Sequence, residues 1–210
     1  MHLSKGAGSE YLTNSIGEGF EQYGFDVPGV EGLIDQVHIA QAQFAGFAFD
    51  TPVKEAENGD NYLDWSNFEG GVEVGYTISR EAKFDNEVYF YTVDNVTGTV
   101  DGNTVGSEGY VQAALSNIVS PIFSAEDGNI ETGSFTMEAG DVIGTMIIAD
   151  GTLSDAQSGN ATVYFSFGTA TDGFDHIRKS GDNVFEFEDL PGGGDLDFND
   201  IVITLDKFSL

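Results

Sequence analysis

The chain has 210 residues, 40% of them hydrophobic and 12% aromatic, with 36 acids against 7 bases and a formal net charge of −29. That aromatic content argues against a disordered acidic chain and for a packed core, while the charge works against phosphate-directed nucleic-acid binding and against adsorption to anionic membranes, both of which need Lys and Arg. Cysteine is absent, which excludes disulfides, thiolate metal sites and cysteine nucleophiles.

Self-repulsion on this scale opposes a compact state unless something neutralises it. Bound divalent cations would do so, and a halophilic surface in high external salt is the alternative. No apolar run approaches the ~20 residues of a membrane span. Met1-His2-Leu3-Ser4-Lys5 is not followed by the apolar stretch of a signal peptide, so an export signal is expected elsewhere in a longer protein.

In chain order, residues 32–45 fit a helix loosely through Leu33, Ile34, Val37 and Phe44, and residues 44–49 are an apolar, aromatic strand candidate. Residues 71–78 alternate, with Val72, Val74 and Tyr76 opposite Glu73 and Thr77. Residues 87–93 are almost all good β formers. Residues 108–119 suggest a helix carrying Tyr110, Ala113, Ala114 and Ile118 near helical spacing, with Ser107 as N-cap. Residues 142–149 are apolar throughout, which predicts a central strand. Residues 161–168 alternate Thr162, Tyr164 and Ser166 against Val163, Phe165 and Phe167. Strands at 183–187 and 201–206 close the chain, the last with Ile201, Ile203 and Leu205 on one face. Short strands punctuated by 28 Gly and by Asx turns predict a mainly all-β sandwich with one or two short helices. No linker or repeat divides the chain, so one ligand-binding domain is expected over 1–210.

The most informative segment is 186–200. It carries seven acidic or amide side chains, Glu186, Glu188, Asp189, Asp195, Asp197, Asn199 and Asp200, around Pro191-Gly192-Gly193-Gly194. Calcium takes six to eight hard oxygen ligands, and this density suits it. Zinc and copper favour Cys or His, and His2, His38 and His176 share no ligand spacing. An EF-hand starting at Asp195 would need Gly where Asp200 stands, and the glycine-rich calcium β-roll needs tandem copies. A plain solvated turn is the competing expectation. Phe185, Phe187, Leu190 and Phe198, interleaved with the acids, should be buried, which would crowd carboxylates together at a cost that a cation relieves. Further candidates for metal or ligand contact are Asp172, Asp175, Asp182, Asp94 and Asp101. Each, like the stretch Asn58-Gly59-Asp60-Asn61, also suits an ordinary Asx turn.

Phe187-Glu188-Asp189-Leu190-Pro191-Gly192-Gly193-Gly194-Asp195, continued by Asp197-Phe198-Asn199-Asp200, resembles the closing signature of a bacterial domain-of-unknown-function family found in large secreted, calcium-dependent RTX-type proteins. The stretches Tyr89 to Asp94, Gly98 to Gly102 and Gly109 to Leu115 also look like it, so the resemblance spans about 84–206. Within that family the chain is similar to the peptide-binding domain of long RTX adhesins. The resemblance implies metal ligands at Glu188, Asp189, Asp195, Asp197, Asn199 and Asp200, and the chain departs from the family at Glu186, where related sequences often carry Gly. The resemblance implies a calcium-stabilised β-sandwich, outside the cell, that binds more than one Ca2+. One surface ion would hold the C-terminal carboxylate of a target protein on a host or neighbouring cell, serving cell adhesion and biofilm formation. Neighbouring domains of a longer adhesin are implied too, and the charge favours a monomer. A calcium-dependent lectin-like module and a calcium-rigidified spacer are the alternatives. No nucleophile elbow, zinc motif or phosphate loop is present, so an enzyme is not expected.

Overall fold

The computed structural model describes residues 53–56, 58–66, 70–138, 141–181 and 183–209. The chain divides into two units, Met1–Asp50 and Thr51–Leu210, and every described residue lies in the second. The helix expected at 32–45, the strand expected at 44–49, and Asp182 lie outside the described residues.

The fold is all-β, as expected, built from two antiparallel sheets. The first sheet contains β1 (Val53–Glu55), β2 (Asn61–Asp64), β4 (Glu87–Val93), β6 (Val142–Ala149) and β7 (Thr162–Phe165). Its order is β1-β2-β6-β4, with β7 also paired to β6. β4 follows β6 from Glu87↔Ile148 to Val93↔Val142. β2 pairs with Val142 and Ile143, and β7 pairs with the run from Met146 to Ala149. The second sheet has the order β5-β3-β10-β9-β8, with β3 at Val72–Ser79, β5 at Ile130–Met137, β8 at Ile177–Gly181, β9 at Val184–Phe187 and β10 at Ile201–Ser209.

One buried cluster joins the two sheets. Leu63, Phe90, Ile143, Ile147 and Tyr164 from the first meet Val74, Ile78, Phe185, Phe187, Ile201 and Ile203 from the second. Phe123 fills the space between, with its ring 4.7 Å from Phe90 and edge-on to Tyr76 at 5.0 Å. A second cluster covers the far face of the first sheet. There Tyr89, Tyr91, Met146, Ile148 and Phe167 pack beneath Tyr110, Ala114 and Leu115 of α1 (Tyr110–Ser116) and Ala156 of α2 (Leu153–Gln157). A strand buried on both faces has no polar side to alternate. That is why β4 and β6 are apolar along almost their whole length, and why both faces of β7 carry aromatic rings.

The helix expected near 108–119 forms, but Ser107 is not its cap. The N-cap is Gly109, with no side-chain bond to the helix. Successive turns, Ser107 N–H to the Thr104 carbonyl and Tyr110 N–H to the Ser107 carbonyl, bring the chain into α1 without a side-chain acceptor. α2 was not anticipated, although Thr152 and Asp155 form a reciprocal capping box whose T-x-x-D spacing stands in the sequence. β1, β2, β5 and β8 were also not anticipated. They are short or largely exposed, so they carry no long apolar period.

Candidate metal centre

The acidic segment is the connection between β9 and β10. Those strands are antiparallel, with Phe187 opposite Ile201. The residues just beyond that pair, Glu188 and Asp200, therefore stand side by side where the loop opens. Phe185, Phe187 and Phe198 are buried as expected. Leu190 is not: it remains 37% exposed, because it precedes the 3-10 turn at Pro191–Gly193 and packs over Gly194 at the edge of the loop.

The loop then doubles back through left-handed backbone. Gly192, Gly193 and Gly194 have φ of 71°, 83° and 48°, and Leu196 and Phe198 have φ of 65° and 58°. Positive φ at two bulky non-glycine residues is uncommon strain, of the kind found at functional sites. The result is two carboxylate groups that share one member. Glu188, Asp195 and Asp197 bring ligand atoms within 4.8 Å of one another, and so do Glu188, Asp189 and Asp200. Five of the six metal ligands expected from the sequence thus converge. The sixth, Asn199, sits among them. Its side-chain amide donates to Glu81 at 3.3 Å, its backbone N–H to Asp197 Oδ1 at 3.2 Å, and its carbonyl accepts from Glu81 N–H at 3.1 Å.

Glu188 decides what this cluster can do. It is fully buried, and neither carboxylate oxygen closes a hydrogen bond of normal geometry among the described residues. An ionised carboxylate left in that state is costly. Burial first, and the charge of Asp200 second, push Glu188 up to about 7, against the opposing pull of the Phe198 amide. Asp200 is raised as well, chiefly by burial. Two of the other carboxylates are anchored by hydrogen bonds: Asp189 Oδ2 accepts from Asn86 at 2.7 Å, and Asp200 Oδ2 accepts from the Asp189 N–H at 2.7 Å. Donors that are all oxygen, crowded and starved of protons or partners fit a hard divalent cation. The acidic groups can hold a metal ion.

Residues distant in sequence brace the loop. His176 is buried, stacked on Tyr164 with ring centroids 3.4 Å apart. Its Nδ1 lies 2.9 Å from the Glu188 carbonyl and its Nε2 lies 3.0 Å from Asp172 Oδ2. Both nitrogens face oxygens, one of the Glu188 backbone and one of Asp172. The Glu188 N–H returns to the His176 carbonyl at 2.9 Å. Asp172 also accepts from Gly192 N–H at 2.8 Å and Phe174 N–H at 3.0 Å. It therefore ties the glycine turn to His176. Asn86, besides holding Asp189, accepts from Asp150 N–H at 3.0 Å and lines a groove of about 540 Å3 with Arg80, Glu87 and Glu126. None of His176, Asn86 or Glu81 was singled out from the sequence as part of the site, because nothing local to them signals it.

The remaining candidates lie apart from the five convergent acids. Asp175 accepts from Ile177 N–H at 3.3 Å. Asp94 accepts from the amides of Asp101 and Gly102, at 3.3 and 3.0 Å, and Asp101 accepts from Asn117 at 2.8 Å. Asp60 accepts from Asn58 and from Gly168 N–H, both at 2.8 Å. Most of these are local turn partnerships, while Gly168 to Asp60 and Asn117 to Asp101 tie separate segments together. Glu186, the departure from the resembled signature, pairs across strands with Arg178 at 2.7 Å, and Arg178 lies 3.9 Å over the Phe198 ring. It clamps the far side of the loop.

Two backbone N–H donors, with help from His176, hold Asp172 down to about 2 from its ordinary 3.8. A carboxylate with a depressed folded value stabilises the fold above its unfolded value, and that contribution fades as pH falls through the folded one. Asp172→Asn should therefore melt below wild type at neutral pH. The gap should narrow as pH drops from 3.8 towards about 2. Thermal melts in EDTA across that range check it, and a pH-independent gap would remove Asp172 from this bracing role.

The fold and site define an all-β protein whose strand-connecting loop concentrates buried acids into a centre able to hold metal. Residues 137–207 match the model of a family described as Domain of unknown function (DUF4114). The matched segment runs from the end of β5 into β10 and contains the whole acidic loop. No curated protein and no solved structure matches. No described helix is long and apolar enough to cross a membrane.

Proposed function

We propose that the chain is a calcium-dependent ligand-binding module of a large secreted bacterial adhesin, and that calcium occupies the β9–β10 loop. The observation that carries the calcium reading is Glu188, fully buried with neither oxygen in a hydrogen bond of normal geometry among the described residues, amid four further carboxylates. Calcium is favoured over magnesium because it tolerates many oxygen ligands in an irregular loop, whereas magnesium demands near-ideal octahedral geometry. Zinc is disfavoured because, among the described residues, the imidazole beside the loop is that of His176, and it already faces two oxygens.

A bound ion reverses the local sign of an acidic surface, so a protein of charge −29 can still attract an anionic or hydroxyl-bearing ligand. Asp195 and Asp197 are exposed, and exposed Leu190 and Leu196 stand beside the glycine turn. This combination suits a peptide carboxylate with apolar neighbours, and the resemblance to peptide-binding adhesin domains points the same way, to the C-terminus of a surface protein. Burial of Glu188 and Asp189 favours a second role for the same loop, calcium as a rigidifying element of the fold.

The test is a peptide and glycan array probed with and without calcium. Calcium-dependent retention on peptides with free C-termini, lost on their amidated counterparts, is the expected result. Retention on glycans alone would replace the ligand class, and no calcium-dependent retention on either would leave the spacer role.

A further inference from the structure

We propose that Glu188 bridges two divalent cations, an inner one held with Asp189 and Asp200 and an outer one held with Asp195 and Asp197. This rests on the reading of the loop as a calcium site and extends it to the number and division of labour of the ions.

Three observations carry it. First, the five carboxylates do not form one ring. They form two sets, each with ligand atoms within 4.8 Å of one another, and Glu188 is the only member common to both. Second, both oxygens of Glu188 are buried, and neither closes a hydrogen bond of normal geometry among the described residues. One oxygen, Oε1, lies against the glycine turn that leads to Asp195, so closely that a Cβ at Gly194 would come within 2.7 Å of it. Asp200 stands beside the same side chain, through the pairing of Phe187 with Ile201, and the charges of both Asp200 and Asp195 act on it. A carboxylate acted on by members of both sets is suited to bridge, and a shared carboxylate is compatible with ions about 3.5–4 Å apart, the spacing of two-metal sites. Third, five carboxylates carry five negative charges. One divalent ion would leave three uncompensated around a fully buried group, while two leave one, which solvent at the exposed rim can screen.

The two positions differ in access. Asp189 is buried and Asp200 half-buried, whereas Asp195 and Asp197 are exposed. The inner carboxylates are also pinned by Asn86 and by the loop's own amide, so the inner ion is structural and slow to leave. The outer ion faces solvent beside Leu190 and Leu196, which are 37% and 58% exposed. Its remaining positions are filled by exchangeable water, and it is the ion a ligand would reach.

Calcium ions per molecule, counted by native mass spectrometry on the full chain, test the proposal. Glu188→Gln should hold two fewer ions than wild type. The double variant Asp195→Asn/Asp197→Asn, altered only at exposed side chains, should hold one fewer and keep the wild-type circular dichroism spectrum. A loss of one ion in Glu188→Gln would overturn the bridge while leaving the calcium reading intact. No loss in that variant would overturn both. If Glu188→Gln fails to fold, the rim variant decides the matter, since an unchanged ion count there removes the outer site.

Discussion

Adding calcium to the metal-free protein should raise its melting temperature by roughly 5–10 °C, and Glu188→Gln should abolish the rise. The magnitude follows from linkage. A ligand that binds only the folded state at a hundred times its Kd contributes about 2.7 kcal/mol. For a unit of 150–250 residues each kcal/mol moves Tm by about 2–4 °C. The substitution should also act in the opposite direction without metal. In EDTA at pH 7.5, wild type keeps a fully buried carboxyl, raised to about 7 by burial and by Asp200 and therefore charged in most molecules, a state that costs stability. The isosteric amide carries no charge to desolvate. Glu188→Gln should therefore melt above wild type in EDTA and below it in calcium. Thermal melts of both proteins, with and without calcium and with a magnesium control, check this crossing. Wild-type melting that ignores calcium would sink the metal reading of the loop. A variant that still responds in full would move the site away from Glu188.

Gly193→Ala should destabilise the fold by about 2–5 kcal/mol and weaken calcium binding with it. The backbone there has φ of +83°, and an added Cβ would lie 2.3 Å from Phe174 Cζ and 2.6 Å from Leu196 Cδ2. Left-handed backbone costs an L-residue about 1–2 kcal/mol, and overpacking adds about 1–3. Phe174 has little freedom to withdraw, since it is packed edge-on to His176 at 5.0 Å and lies 5.8 Å from Phe198. Movement there would be passed to the His176 contact with Glu188. Gly192→Ala separates the two costs, because φ is +71° but nothing lies within 4 Å of the added atom. It should lose only the backbone part, about 1–2 kcal/mol, and retain calcium binding. Urea denaturation in EDTA gives the stabilities, and calcium titration of the same samples gives the binding. Equal losses in the two variants would show that Phe174 does not seat the turn.

The strands legible in the sequence are those whose side-chain pattern reflects burial. β4 and β6 stand out as apolar runs because both of their faces are covered. β10 stands out because Ile201, Ile203 and Leu205 alternate into the core. β5 was illegible for the converse reason. It is an edge strand, Ile-Glu-Thr-Gly-Ser-Phe-Thr-Met, nearly all of it exposed, and it takes its strand conformation from pairing with β3 rather than from a pattern of its own. β8, with Arg178 and Lys179, is a similar case. Propensity fails at such positions because tertiary pairing overrides it.

The sequence by itself determined the chemistry of the centre. Hard oxygen donors packed between phenylalanines, next to three glycines and with no cysteine anywhere, restrict the metal class before any coordinate is known. Only the tertiary structure decided how those donors are shared. The pairing of Phe187 with Ile201 sets Glu188 beside Asp200, and left-handed turns at Leu196 and Phe198 return Asp195 and Asp197 to the same carboxylate. The braces, Asn86, His176, Asp172 and Glu81, reach the loop from other parts of the chain. A sequence window of local residues records which ligands are available, but the distance between two carboxylates is a property of strand register and backbone handedness, and those are settled by packing across the whole sheet.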